Sequence, residues 1–229
     1  MLSLTYLNTS ANGLVVTSSM EISGRGVSTI KLAGVVLNDK GKIASSFKNQ
    51  LNIDATRSGE SDSIFYNHHT PLAPGIYQFR VAARDEKSAR VGSAIQWIVI
   101  PDLTKSQLTL SSVLLGGQLL EDKHVQLSVD HAFPRASQMG YWVFVYNAKR
   151  DANGNPQLMV QTQVLRDGQT VLSSPQRRVN SNGQDAERIP FGEELALKTL
   201  APGKYDLKVI VTDGVAGTSA SQLADFIVR

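Results

Sequence analysis

Apolar and polar residues alternate over most of this chain, and short clusters rich in Gly, Pro, Asn and Asp interrupt the alternation. In the run Ile76–Arg84, Tyr77, Phe79, Val81 and Ala83 alternate with Gln78, Arg80, Ala82 and Arg84. Successive side chains of an extended chain point to opposite faces, so this pattern predicts a strand with one face against a core. The same reading places strands at Leu14–Ile22, Thr29–Leu37, Lys42–Ile53, Ile76–Arg84 and Ile95–Ile100 in the first half. In the second half it places them at Leu108–Leu115, His124–Val129, Tyr141–Ala148, Leu158–Leu165, Tyr205–Val211 and Leu223–Val228. Asn38-Asp39-Lys40-Gly41 is expected at a hairpin tip, and Arg166-Asp167-Gly168-Gln169 as a two-residue Asp-Gly turn, since both carry residues that tolerate positive φ. No stretch sustains a helical period; Glu193–Lys198 fits one helical turn and fits a strand equally well.

An internal repeat organises these strands. Leu72-Ala73-Pro74-Gly75-Ile76-Tyr77-Gln78-Phe79-Arg80-Val81, running on to Asp85, returns as Leu200-Ala201-Pro202-Gly203-Lys204-Tyr205-Asp206-Leu207-Lys208-Val209, running on to Asp213. The offset is 128 residues throughout (200 − 72 and 213 − 85), and each copy is followed by a closing strand. A Tyr that opens a strand just after a Leu-x-Pro-Gly corner resembles the tyrosine corner of immunoglobulin-like sandwiches, where the hydroxyl bonds back to the backbone. Tyr77 and Tyr205 are therefore read as structural residues. Short strands with a turn every 8–12 residues or so point the same way. The expected fold is all-β: two tandem immunoglobulin-like or fibronectin-type-III-like β-sandwich domains, residues 1–102 and 103–229, with the boundary near Pro101-Asp102-Leu103-Thr104.

Composition narrows the chemistry. The 229 residues include no cysteine, which excludes disulfides, a thiol nucleophile and Cys-based metal centres. Twenty-three Lys and Arg against 20 Asp and Glu give a net charge of +3 without a basic stripe, so nucleic acid is not an expected partner. No apolar run reaches the ~18–20 residues of a membrane span, and membrane insertion is not expected. The first residues, Met1-Leu2-Ser3-Leu4-Thr5-Tyr6, lack the basic and apolar regions of a signal peptide. His68-His69 is read as part of a polar loop before Thr70-Pro71, and His124 and His131 stand apart from it. Asp151-Ala152-Asn153-Gly154-Asn155 places oxygens at alternate positions, but Pro156 and Thr162 stand where a calcium loop needs Gly and Glu, so a polar hairpin loop is preferred. Asp85 and Asp213 recur at strand ends, a placement suited to turn hydrogen bonds. Nucleophile-elbow, phosphate-loop and zinc-helix motifs are all missing, so no enzyme, metal or cofactor is expected.

One segment breaks the half-buried pattern. Tyr141-Trp142-Val143-Phe144-Val145-Tyr146 is apolar on both faces. A central strand covered on both sides explains this, and so does an exposed aromatic strip for a protein or glycan partner. Tyr141, Trp142 and Tyr146, together with Trp97, are the candidate partner or glycan surface. A separate route to self-association is the apolar segment Leu2-Ser3-Leu4-Thr5-Tyr6-Leu7, which suits strand addition to a neighbour in a surface assembly or filament.

A family resemblance rests on three runs: Asn38-Asp39-Lys40-Gly41-Lys42 before a long strand, Leu72 through Asp85, and Val91-Gly92-Ser93-Ala94-Ile95-Gln96-Trp97-Ile98-Val99-Ile100-Pro101-Asp102-Leu103. Together these resemble the C-terminal region of the VWFA-related proteins common in Acidobacteria. Val143–Ala148 and Leu200–Tyr205 resemble its later part. The resemblance implies an exported protein with a von Willebrand type A domain upstream, and hence an extracytoplasmic (secreted, periplasmic or cell-surface), non-catalytic interaction, adhesion or spacer region. The Asp-x-Ser-x-Ser metal-adhesion motif of type A domains does not occur here, so no metal site carries over.

Overall fold

A computed structural model of the chain describes residues 1–9, 13–23, 29–52, 63–117, 127–179 and 187–229. The chain divides into two compact units, Met1–Asp102 and Leu103–Arg229. In unit 1 the strands are β1 (Leu2–Thr9), β2 (Gly13–Ser23), β3 (Thr29–Asn38), β4 (Ile43–Asn52), β5 (Ser63–Pro71), β6 (Gly75–Asp85) and β7 (Val91–Ile100). They form a three-stranded sheet, β1-β2-β5, and a four-stranded sheet, β4-β3-β6-β7, with every neighbouring pair antiparallel. Because β4 pairs with β3 and leaves β5 alone, the unit has the three-plus-four division of a fibronectin-type-III-like sandwich; the constant-type immunoglobulin arrangement is four-plus-three.

Alternation builds the core. Ile30, Leu32 and Val36 of β3, Tyr77, Phe79 and Val81 of β6, and Ile98 and Ile100 of β7 are buried. Facing them from the other sheet are Tyr6, Val16 and Met20. At Gly34 of β3 the missing side chain has a purpose, since a Cβ there would lie 2.1 Å from the Phe47 ring, which fills that space. On its other side Phe47 stacks on His68 of β5, with ring centroids 3.9 Å apart, so the stack bridges the two sheets.

Unit 2 contains β8 (Thr109–Leu110), β9 (Leu114–Gly116), β10 (Ala132–Phe133), β11 (Gln138–Tyr146), β12 (Leu158–Arg166), β13 (Gln169–Ser173), β14 (Arg177–Arg178), β15 (Ile189–Ala196), β16 (Gly203–Asp213) and β17 (Thr218–Val228). One sheet runs β10-β17-β16-β12-β13 with β14 also on β12; the other runs β15-β11-β8 with β9 also on β11. The 128-residue offset reaches beyond the repeated hairpin. Ile30 pairs with Asp85 between β3 and β6, and Leu158 pairs with Asp213 between β12 and β16.

Both corners close in the same way. The Tyr77 hydroxyl donates to the Ala73 carbonyl at 3.1 Å and the Tyr205 hydroxyl to the Ala201 carbonyl at 2.8 Å. Gly75 and Gly203, with φ of 158° and 151°, adopt a backbone conformation that side-chain-bearing residues rarely enter.

The strands fall mostly where alternation predicts them, and the departures have local causes. Ser63–Pro71 is strand β5, not a loop: its inward positions carry Tyr66, His68 and Thr70 while Phe65 is 48% exposed, so polarity runs opposite to the usual pattern and hides the period. Leu108–Leu115 is two short strands, because Ser111 interrupts the ladder; its backbone N–H donates to the Phe144 carbonyl and its hydroxyl accepts from the Phe144 N–H. Of His124–Val129, residues 124–126 lie outside the described residues, and Leu127 makes only an isolated bridge to Gly116. Ile53, the expected end of β4, also lies outside them. Glu193–Lys198 realises both readings in succession, a strand to Ala196 and then a 3-10 turn over Leu197–Thr199.

Tyr205→Phe removes a hydrogen bond from a phenol ring that is only 4% exposed and stacked on Phe226. The substitution should cost unit 2 about 1 kcal/mol, read as faster native-state hydrogen exchange of the β16 amides. Unchanged exchange would remove the corner from the list of stabilising contacts.

Candidate functional site

Of the four aromatic residues named as a candidate surface, two are buried. Tyr141, in the core of unit 2, and Tyr146, on the other face of β11, are 2% and 1% exposed and offer nothing to a partner. The Tyr141 hydroxyl shares a hydrogen bond with Thr162 Oγ1 at 2.8 Å and donates to Glu193 Oε2 at 3.0 Å, and burial pushes its pKa well above the ordinary phenol range. Trp142 points to the opposite face of β11 and is half-buried. Its indole lies across Gly140 and Gly192, at either of which a Cβ would come within 2.3 Å of the ring. β11 thus packs Met139, Tyr141, Val143 and Val145 into the core, while its other face carries the indole of Trp142, Phe144 under the Arg188 guanidinium and the buried Tyr146. Trp97, in unit 1, is 58% exposed.

The polar candidates serve their own loops. Asp85 Oδ1 and Oδ2 accept the backbone N–H groups of Lys87 and Ser88, and the Ser88 hydroxyl, the largest influence, helps to hold its carboxyl below the usual range. Asp213 accepts backbone N–H bonds from Lys149, Val215 and Ala216. Asp151 accepts from the N–H groups of Asn153 and Asn155 and from Gln157, and these bonds, Asn155's foremost, lower its pKa. His69 lies within hydrogen-bond distance of Thr17, and His131 Nδ1 is 2.9 Å from the Asp225 carbonyl. His124 lies outside the described residues. Among the described residues no three His, Asp or Glu are grouped as a metal site.

What unit 1 does expose is the outer face of its β4-β3-β6-β7 sheet. Outward positions of β7 carry Val91, Ile95, Trp97 and Val99, exposed by 58–67%, and Ile76 beside Val99 on β6 is 47% exposed. Core packing does not require these residues, because Ile98 and Ile100 supply the inward face of β7. The internal copy is a control. At the 128-residue offset, Val91, Trp97 and Ile76 are replaced by Ser219, Asp225 and Lys204, while Ile95 and Val99 become Leu223 and Ile227.

The same face is basic. Lys31, Lys48, Arg80 and Arg84 point outward, and no Asp or Glu occupies an outward position of the four strands. Glu86, just past β6, reaches Lys31 as a salt bridge. Between Lys31, Lys48 and Arg84 the small residues Ala33 and Ala82 hollow the sheet into a trough of about 620 Å³. A second cleft of about 660 Å³ opens where the two sheets part beside the 85–91 hairpin, and Met20, Ile30, Leu32 and Val81 of the unit's own core line it. Pattern reasoning passed over Val91, Ile95, Val99 and the outward cations. The signal was present: Trp97–Ile100 is apolar at both parities, as Tyr141–Tyr146 is.

No family model matches the chain, and no curated protein matches it. Among solved structures, the fibronectin(III)-like modules of Clostridium thermocellum CbhA are 14% identical, covering 94% of this chain and 85% of that one, with a TM-score of 0.27. Red sea bream transglutaminase is 8% identical and matches over 100% of this chain, with a TM-score of 0.31. This chain covers only 31% of the transglutaminase chain. Likeness this slight carries no argument about function, and the all-β, tandem fibronectin-type-III-like sandwich assignment stands on the strand order itself.

Two measurements check this description. With Trp142→Phe the remaining indole emission should be red-shifted and readily quenched by iodide, and with Trp97→Phe blue-shifted and protected; the reverse order would misplace the exposed surface. Burial first, and His69 second, hold the His68 imidazole below its ordinary value of 6.5. The unfolded chain therefore binds more protons in the window just below that value, and unit 1 should lose stability as pH falls through it. The denaturation midpoint should drop from about pH 7.5 to about pH 5, and less so in His68→Asn.

Proposed function

We propose that the chain is a non-catalytic, extracytoplasmic interaction region of an exported bacterial protein, and that unit 1 carries the binding face. One observation supports the reading above others: a row of large apolar side chains, Val91, Ile95, Trp97 and Val99, stands in water on a strand whose internal copy holds Ser219 and Asp225 at two of those positions. Contiguous exposed apolar surface with a polar surround is what protein partners bury. Export rests on the VWFA-related resemblance, and cell fractionation of the source organism tests it.

Two other readings use different residues. The surface-assembly reading assigns the donor strand to Leu2–Leu7, but β1 is paired with β2 from Leu2↔Met20 to Thr9↔Gly13, so that segment is already committed within its own sheet. A glycan module would use the flat Trp142 indole on Gly140 and Gly192, since sugar rings stack on such faces.

A photo-crosslinking amino acid placed at position 97, and at position 225 as control, decides among them. In the source organism's cell envelope, position 97 should give a discrete protein adduct and position 225 none. Trp97→Asp, which installs the internal copy's residue, should abolish partner binding while changing stability by no more than about 0.5 kcal/mol. Absence of an adduct at 97, or glycan-array binding lost in Trp142→Ala, would overturn the proposal.

A further inference from the structure

We infer that the free edge of β7 takes an extended, acidic segment of a partner polypeptide as an added strand. This rests on the reading of unit 1 as the binding face and specifies both how that face binds and what it binds. β7 ends its sheet, with β6 as its hydrogen-bonded neighbour. The Asp85 N–H donates to the Arg90 carbonyl at 3.0 Å, which makes 85–90 a hydrogen-bonded pair. Hydrogen-bonded and non-bonded pairs alternate along an antiparallel ladder. The register Arg84↔Val91 to Gly75↔Ile100 then directs the amides of Gly92, Ala94, Gln96, Ile98 and Ile100 to β6. Ile95, Trp97 and Val99 aim their N–H and C=O groups at the open edge, and the same three residues carry the exposed apolar side chains.

The internal copy shows that this edge accepts a strand. In unit 2 the equivalent edge, β17, holds β10 in parallel pairing: the Ile227 N–H donates to the His131 carbonyl at 2.8 Å and the Arg229 N–H to the Phe133 carbonyl at 3.0 Å. Ile227 is the counterpart of Val99, yet among the described residues no strand is hydrogen-bonded to the outer edge of β7, although β1 runs beside it. Pro101 replaces Arg229 and has no N–H, so the outermost of those bonds cannot be repeated in unit 1. The added strand belongs further along, on Ile95, Trp97 and Val99.

Charge selects the partner. Outward side chains of an added strand would lie beside Ile95 and Trp97 and point toward Arg80 and Arg84, one strand further in on β6. No outward carboxylate on the four strands neutralises those cations, so acidic residues alternating with apolar ones complete the face. A second copy pairing β7 with β7 would bring two sets of cations onto one continuous face, which disfavours self-association.

The test uses Trp142→Phe as the parent, so that Trp97 is the sole indole, and a short peptide of alternating Glu and Val against its Lys-Val counterpart. The Glu-Val peptide should blue-shift Trp97 emission saturably and slow amide exchange at Ile95 and Val99; the Lys-Val peptide should do neither. Arg80→Glu with Arg84→Glu should weaken binding by about tenfold or more. Ile95→Pro removes an edge donor that β6 does not use and should abolish binding; should it unfold unit 1, the double charge reversal and the exchange data still decide. Equal affinity for both peptides, or binding without protection at Ile95 and Val99, overturns the inference. So does no peptide binding, whether the chain is then a monomer or dimerises through β7. If position 97 nevertheless crosslinks a protein, strand addition falls alone; if both experiments are negative, the binding face falls with it.

Discussion

Each sandwich depends on a phenol hydroxyl reaching back four residues to an alanine carbonyl, from Tyr77 to Ala73 and from Tyr205 to Ala201. The bond matters less for its own energy, about 1 kcal/mol net, than for the parity it sets. Once Tyr77 points into the sandwich, Phe79, Val81 and Ala83 must follow, and a one-residue slip would put all four in water. The register then passes through β6 to β3 on one side and β7 on the other, and the same sequence of constraints runs through β16 to β12 and β17.

Fixing the inward residues leaves the outward ones free to differ. Inward pairs such as Ile30 and Leu158, Val36 and Val164, or Phe79 and Leu207 stay large and apolar across the two copies, because each fills a core at close packing. Outward pairs obey no such demand: Trp97 is matched by Asp225, Ile76 by Lys204, Ala33 by Gln161. An outward row that is apolar in one copy and polar in the other therefore reports on something outside the fold's own stability.

The same division between inward and outward residues decides how much of the fold is legible in the sequence. The all-β fold was legible because inward residues of β3, β6, β12, β16 and β17 are almost all apolar and their neighbours mostly polar. β5 was not, because it turns Tyr66, His68 and Thr70 inward and Phe65 outward, and its inward face is completed by a ring stack with Phe47 that no period reveals. The aromatic run Tyr141–Tyr146 announced two-sided burial but not which residues achieved it. Trp142 is covered from beneath by two glycines, one of them 50 residues away in sequence on β15. Trp97 was identified as a lone aromatic, whereas its neighbours in the exposed row are Ile95 and Val99 of its own strand, with Ile76, Arg80 and Arg84 brought alongside by the register of β6.

An apolar free edge carries a hazard that bears on its purpose. Unpaired N–H and C=O groups beside Ile95, Trp97 and Val99 form a template for unwanted pairing, and proteins usually blunt such edges with charge, proline or a covering strand. Unit 2 uses a covering strand, β10, on the counterpart edge. In unit 1, Arg80 and Arg84 stand on β6, one strand in from that edge, and Pro101 closes its far end. Cations placed this way would repel a second copy of the same face and attract a chain of opposite sign, so in the proposed binding mode one arrangement would both suppress self-pairing and select the partner. A spacer would gain nothing from keeping both the apolar row and the guard around it. Retaining both fits an edge that is occupied when the protein works.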